Sequence, residues 1–220
     1  MKPEAAPLDG HAIDEGRRLF TQECHFIAAG ATFEQLPPSE QPEVAFIGRS
    51  NAGKSSLINA LVGQKSLARV SNSPGRTRQV NLFQLGDRII LADLPGYGFA
   101  QVSRADRAGW ENLIGAYLVG RPGLRRVCLL LDSRRGAGPL DLAMMDQLAR
   151  AAVAYQAVLT KIDTLKAVEV ARARADALAT VAGRAAAHPR VHACSARSGD
   201  GLPELRAEIA LLARAHLARE

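Results

Sequence analysis

The run GRSNAGKS, residues 48–55, constrains this chain more than any other stretch. It fits GxxxxGK[ST] and lies between a short apolar run ending at Ile47 and an amphipathic run starting near Lys54, the strand–loop–helix setting the pattern requires. Glycines at 48 and 53 let the backbone curl until successive amide hydrogens face one point. A helix N-terminus adds its dipole to the same field, which makes the loop a nest for phosphate oxygens. Lys54 then supplies a mobile positive charge for the outer phosphates, and the Ser55 hydroxyl is placed to coordinate a magnesium ion. A plain Gly-rich turn is the competing explanation, so the rest of the sequence has to decide.

From Glu43 onward, short apolar runs alternate with longer helical patterns. Six strands are expected, at 44–48, 80–85, 88–94, 126–132, 155–160 and 190–196. Helical spacing covers Lys54 to Val62, Arg104 to Leu118, Pro139 to Ala152 and Leu165 to Ala182, and Leu202, Leu205, Ile209 and Leu212 fall on one face of a last helix. Such alternation implies an α/β fold with a mainly parallel sheet and helices on both faces. One strand is expected to run antiparallel, because only the tight turn Gly86-Asp87 joins the runs 80–85 and 88–94. Residues 1–42 are expected to form an N-terminal extension and lead-in, with a short helix between Gly10 and about Ala29, and 43–220 a single nucleotide-binding domain. QLPPSEQP is excluded from regular structure by its prolines.

Three further elements follow in order. DLPG closes the run 88–94; Asp93 is expected to hold the metal through a water, and the Gly96 amide to meet the terminal phosphate. A lone DxxG means little, but this one ends a strand at the edge where open α/β sheets bind ligands. TKID, residues 160–163, bears on the base. Guanine presents N1–H and its 2-amino group side by side, so the acceptor-only carboxylate of Asp163 matches both, whereas adenine offers a lone pair at N1. Mismatches of this kind discriminate by about 10⁴-fold, which favours GTP over ATP. Lys161 would lay its aliphatic stem along the base plane. The competing role for Asp163 is to cap a helix beginning at TLKAVEV. Backbone amides of Cys194, Ser195 and Ala196 would complete the base pocket. In the polar connection SNSPGRTRQVN, residues 71–81, Thr77 is the hydroxyl expected to reach magnesium when the γ-phosphate is present, the alternative being a surface turn.

Composition sets limits around this reading. No apolar run approaches the roughly 18 to 20 residues of a membrane-spanning helix, and the first residues carry charge where a signal peptide needs an apolar core. A cytoplasmic protein without a membrane partner is expected. Cys24, Cys128 and Cys194 lack metal-ligand spacing and are expected to be reduced packing residues. The net charge of +6 favours a polyanionic partner such as RNA, and also fits a merely solvated arginine-rich surface.

Together PEVAFIGRSNAGKSSLINAL, SPGRTRQVNLF, LADLPGYGFA and LTKIDTL resemble the EngB family of bacterial GTPases, within the translation-factor-related class of P-loop GTPases. The similarity runs from about Phe20 to the C-terminus, and GRSNxGKSSLIN with DLPGYG is far more specific than a generic P-loop. The resemblance implies a Ras-like P-loop GTPase domain and a monomer. It also implies a role in assembly of the large (50S) ribosomal subunit, through its precursor's rRNA and proteins, with a link to septation in cell division. By motif, its GTP and GDP contacts fall on Gly48, Arg49, Ser50, Asn51, Ala52, Gly53, Lys54 and Ser55, then on Gly75, Arg76, Thr77, Arg78 and Gln79. They continue at Asp93, Leu94, Pro95 and Gly96, at Thr160, Lys161, Ile162 and Asp163, and at Cys194, Ser195 and Ala196. Magnesium falls on Ser55 and Thr77. The family's TKxDKL stands here as TKIDTL, with Thr164 where lysine is usual.

Many Ras-like enzymes place a water-orienting glutamine after DxxG; here Tyr97 takes that position, so intrinsic turnover is expected at or below the roughly 10⁻⁴ per second of unassisted relatives. Lys54, Thr77 and Asn51 are the candidate catalytic residues. Asn51 is a candidate ligand for a potassium ion beside the phosphates, or else merely shapes the loop. Arg76, Arg78, Arg121, Arg125, Arg126, Arg134 and Arg135 are candidates for rRNA phosphates, each with a solvated side chain as the alternative. The main rival function is a GTP-responsive scaffold in which hydrolysis is incidental; a P-loop ATPase or small-molecule kinase is opposed by TKID.

Overall fold

A computed structural model describes residues 7–68, 79–98 and 104–217. Among these residues seven strands form one sheet in the order β1-β3-β4-β2-β5-β6-β7: β1 (Cys24–Gly30), β2 (Glu43–Gly48), β3 (Val80–Leu85), β4 (Ile89–Asp93), β5 (Leu124–Asp132), β6 (Tyr155–Thr160) and β7 (His192–Ala193). β3 alone opposes the rest, pairing antiparallel with β4 across the Gly86-Asp87 turn and with β1 on its other side. The helices are α1 (Gly10–Phe20), α2 (Lys54–Val62), α3 (Arg104–Gly120), α4 (Pro139–Arg150), α5 (Ala167–Val181) and α6 (Leu202–Leu217).

Alternation along the strands sorts the core into two layers. Ala45 and Ile47 of β2 lie in the layer of α3, α4 and α5 with Leu113, Tyr117, Met145, Leu148 and Val181, whereas Val44 and Phe46 lie in the layer of α1, α2 and α6 with Phe20, Leu57, Leu61 and Leu205. Leu202, Leu205 and Ile209 of α6 are buried as their spacing predicts. All three cysteines are free and buried, and burial pushes the thiols of Cys24 and Cys128 up to about 11 and about 12.

One expectation fails. Among the described residues the sheet has seven strands rather than six, because the short helix expected between Gly10 and about Ala29, around EGRRLFTQECHFI, ends at Phe20 and Cys24–Gly30 becomes the edge strand β1. Its partner, Val80–Leu85, is fifty or more residues away at every pair, so no local periodicity announces the pairing. The expected division at residue 42 thus falls between β1 and β2 of one continuous sheet.

α1 is closely fitted to α6: a Cβ on Gly16 would overlap the backbone of Arg206 and Ala207. Arg206 donates to the carbonyls of Leu61 and Ala60 at 2.9 and 3.0 Å, tying α6 to the last turn of α2, and its guanidinium lies over the Phe20 ring. Gly16→Leu should therefore force α1 off α6 and cost about 1–3 kcal/mol. In a thermal melt that is a fall of roughly 2–4 °C per kcal/mol for a domain of this size. GTP affinity should hold.

Candidate nucleotide-binding site

β2, β4, β5, β6 and β7 are mutually parallel, so their C-terminal ends reach one edge and the loops leaving them converge. The chain visits β3 and β4 on one side of β2 and then β5 to β7 on the other. That makes the end of β2 a topological switch point, where sheets of this type bind ligands. GRSNAGKS leaves the sheet there.

Gly53 has φ +88° immediately before Lys54, and Asn51 has φ +66°, a conformation asparagine tolerates better than most residues. Such reversals build an amide nest. The amides of Lys54, Ser55 and Ser56 lie in the first turn of α2, beyond the reach of any intrahelical carbonyl. The loop's carbonyls are tied back: the Thr160 hydroxyl donates to Ala52 O at 2.7 Å and the Lys161 ammonium donates to Asn51 O. Two of the expected motifs are thus braced against each other.

The Lys54 ammonium forms an ion pair with the Asp93 carboxylate, the two side chains 9% and 3% exposed. Beyond Asp93 the chain stays zipped to the phosphate loop. Leu94 N donates to Phe46 O at 3.0 Å, Tyr97 N to Gly48 O at 3.2 Å, and Ser50 N to Tyr97 O at 3.0 Å. Leu94, Pro95, Ala52 and Cys194 are buried, so what they offer a ligand is backbone. Arg49 turns its side chain across Gly98.

The motifs expected to read the base also meet. Lys161, at φ +61°, passes its stem over Gly53, and its ammonium donates to Asp132 Oδ2 at 3.0 Å. Burial alone would raise the Asp132 carboxyl, but hydrogen bonds from Arg134 and Lys161 outweigh it and hold the group well below the usual carboxylate range. The Ser195 hydroxyl donates to Asp163 Oδ1 at 2.7 Å and accepts from the amides of Arg197 and Ser198 at 3.1 and 3.0 Å. Asp163 does not cap α5, whose N-cap is Lys166, with Glu169 accepting its amide at 2.7 Å. Thr164 donates its hydroxyl to Lys161 O at 2.7 Å and so steadies the same turn.

Gly75, Arg76, Thr77 and Arg78 lie outside the described residues, and Gln79 is exposed just before β3. Two expected surface arginines are interior: Arg121 pairs with Glu43, and Arg126 donates to Glu208 and Gln156 at 2.9 Å. Their charge is spent inside because each faces a buried carboxylate. Two carboxylates at the site were missed. Asp132 ends RVCLLLD just as Asp93 ends its own strand, which is a readable signal. Asp141 accepts from the Tyr97 hydroxyl at 2.6 Å, 44 residues apart, and nothing local announces that bond.

Residues 43–161 match the family described as a 50S ribosome-binding GTPase. A probable GTP-binding protein EngB from Caulobacter vibrioides is 51% identical over 212 residues, 96% of this chain and 93% of that protein. Its counterpart from Hyphomonas neptunium is 49% identical, over 97% of this chain and 99% of its own length. Among solved structures, a probable GTP-binding protein engB has a TM-score of 0.62 at 22% identity, covering 79% of this chain and 99% of its own. Aquifex aeolicus Era bound to GDP.AlF4- has 0.64 at 22%, covering 79% and 57%. Those two likenesses speak for the Ras-like P-loop GTPase fold, and the full-length relatives say more: this chain belongs to the EngB family of GTP-binding proteins and is a GTP hydrolase.

Proposed function

We propose that the chain is a slow, GTP-driven switch in assembly of the large ribosomal subunit, working in the cytoplasm as a monomer, its septation link following from that role. The observation that carries the nucleotide half is the bracing of TKID on the phosphate loop, Thr160 to Ala52 and Lys161 to Asn51, which couples the base reader to the phosphate holder. The family description and the +6 charge support the ribosomal half, and Arg134 and Arg135 are exposed beside the site. Among the described residues, no helix is long and apolar enough to cross a membrane.

Residues 48–55 would hold the phosphates, and Asp163 the guanine edge. The donors near the phosphates are one buried carboxylate, Asp93, and the hydroxyl of Ser55; among the described residues no three His, Cys, Asp or Glu side chains gather to cage a metal. An oxygen-only, sparse donor set fits magnesium, which keeps waters and shares phosphate oxygens. Bound there, with Thr77 as a further ligand, magnesium would neutralise charge on the phosphates. Lys54 would exchange its partner Asp93 for phosphate oxygens and hold the outer phosphates in line, while the amides of the loop stabilise charge as it builds. The Tyr97 phenol is spent on Asp141, so among the described residues no side chain adjoining Gly96 is free to orient the attacking water, which supports slow turnover. Asn51 remains the candidate potassium ligand. Rates that are equal in potassium and sodium buffers, with and without ribosomal particles, would leave it a loop-shaping residue only.

The switch is tested by cosedimentation with large-subunit precursors. Retention with a GTP analogue and release with GDP is expected; equal retention in both states would sink it. Release that proceeds with a non-hydrolysable analogue would favour the scaffold reading instead.

A further inference from the structure

Asp141 stands in the first turn of α4 and is 1% exposed. Its Oδ2 accepts from Gly138 N at 2.8 Å, and its Oδ1 accepts from the Tyr97 hydroxyl at 2.6 Å. Burial first, then that hydrogen bond, push the phenol far up, so Tyr97 is a neutral donor at every physiological pH. Tyr97 is therefore held at three points: its amide by Gly48 O, its carbonyl by Ser50 N, and its hydroxyl by Asp141. The residue before it, Gly96, lies against the phosphate loop, where a Cβ would come within 3.3 Å of Gly48 O and 3.4 Å of Ser50 N. The far side of the clamp is rigid, because Met144, Met145 and Leu148 sink α4 into the core.

A buried carboxylate is a costly way to fasten a loop; an apolar contact of the same volume would cost less. What the carboxylate adds is direction and a fixed distance. We propose that Asp141 is a positioning residue for GTP hydrolysis: through the Tyr97 hydroxyl it sets the height of Gly96, and hence whether the Gly96 amide meets the terminal phosphate. The inference rests on the reading of Gly96 as a contact to that phosphate. It accounts for a tyrosine in the place of a water-orienting glutamine: the side chain there serves geometry, not the attacking water. GDP lacks the phosphate concerned, so loss of the clamp should show in GTP alone.

The test measures GTP and GDP dissociation constants, single-turnover hydrolysis and melting temperature for Tyr97→Phe, Asp141→Ala, the double variant and Gly96→Ala. Tyr97→Phe removes only the hydroxyl and should weaken GTP relative to GDP about 3- to 10-fold, with a parallel fall in rate and GDP affinity within about twofold. Asp141→Ala should do at least as much, and the double variant no more than the worse single one in the GTP/GDP ratio, since both break one bond. Should Asp141→Ala fail to fold, Tyr97→Phe alone decides. If Gly96→Ala shifts the ratio while Tyr97→Phe leaves ratio and rate unchanged, or lowers only the melting temperature, the clamp is overturned and the phosphate contact stands. If Gly96→Ala changes neither, the phosphate contact itself is wrong and the clamp falls with it.

Discussion

Asp163→Asn should weaken GTP binding by about 10²- to 10³-fold, the loss of a charge-assisted hydrogen bond of about 1.5–3 kcal/mol joined to a clash of two donors, and should turn preference toward xanthosine triphosphate. Guanine offers two adjacent donors, which suits two carboxylate oxygens. Xanthine keeps N1–H but carries a carbonyl at C2, and an asparagine amide supplies one acceptor and one donor to match. The Ser195 hydroxyl, which steadies Oδ1 at 2.7 Å, can also donate to an amide oxygen, though more weakly, so the pocket wall should persist. Asp163 is exposed, and the melting temperature should move little. Competition titration with GTP, ATP and XTP checks this; a variant that still prefers GTP would show that the carboxylate does not read the base.

Arg121→Met should destabilise the fold by about 3–5 kcal/mol without touching nucleotide affinity. Glu43 begins β2 at the edge of the sheet away from the phosphate loop, fully buried, and Arg121 meets it from just beyond α3 while donating to Pro37 O at 2.6 Å. Removing the guanidinium strands a charge that, among the described residues, only the Tyr117 hydroxyl, at 2.6 Å, still serves. At roughly 2–4 °C per kcal/mol, the melt should fall on the order of 10 °C. The double variant Glu43→Leu with Arg121→Met should recover much of the loss, because an apolar pair needs no desolvation. A single variant within 1 kcal/mol of the parent in denaturant titration would mean that water reaches Glu43 and the pair is not buried in solution.

How far the sequence could be read follows from the range of each interaction. β2, β4, β5 and β6 were legible because the residues that form them also lie together in the chain. So was the order of the loops at their ends, since parallel strands must deliver their C-termini to one edge. β1 was not, because an edge strand has no buried second face and its partner lies far along the chain. Nor were Asp141 and the interior roles of Arg121 and Arg126, where each side chain is defined by a partner 30 to 82 residues away. The fate of Thr77 lies outside the described residues.

The fit of α1 on α6 has a consequence for how the protein is made. Arg214 and Glu15, which form an ion pair across the two helices, stand 199 positions apart in the chain. A ribosome adding about 5–20 residues each second leaves the apolar side of the first helix uncovered for roughly 10–40 s, until the last helix emerges. Leu19 and Phe20, buried in the finished fold, therefore wait for the last helix before their side of the core can close, and a premature stop ahead of α6 would leave that layer short of one wall.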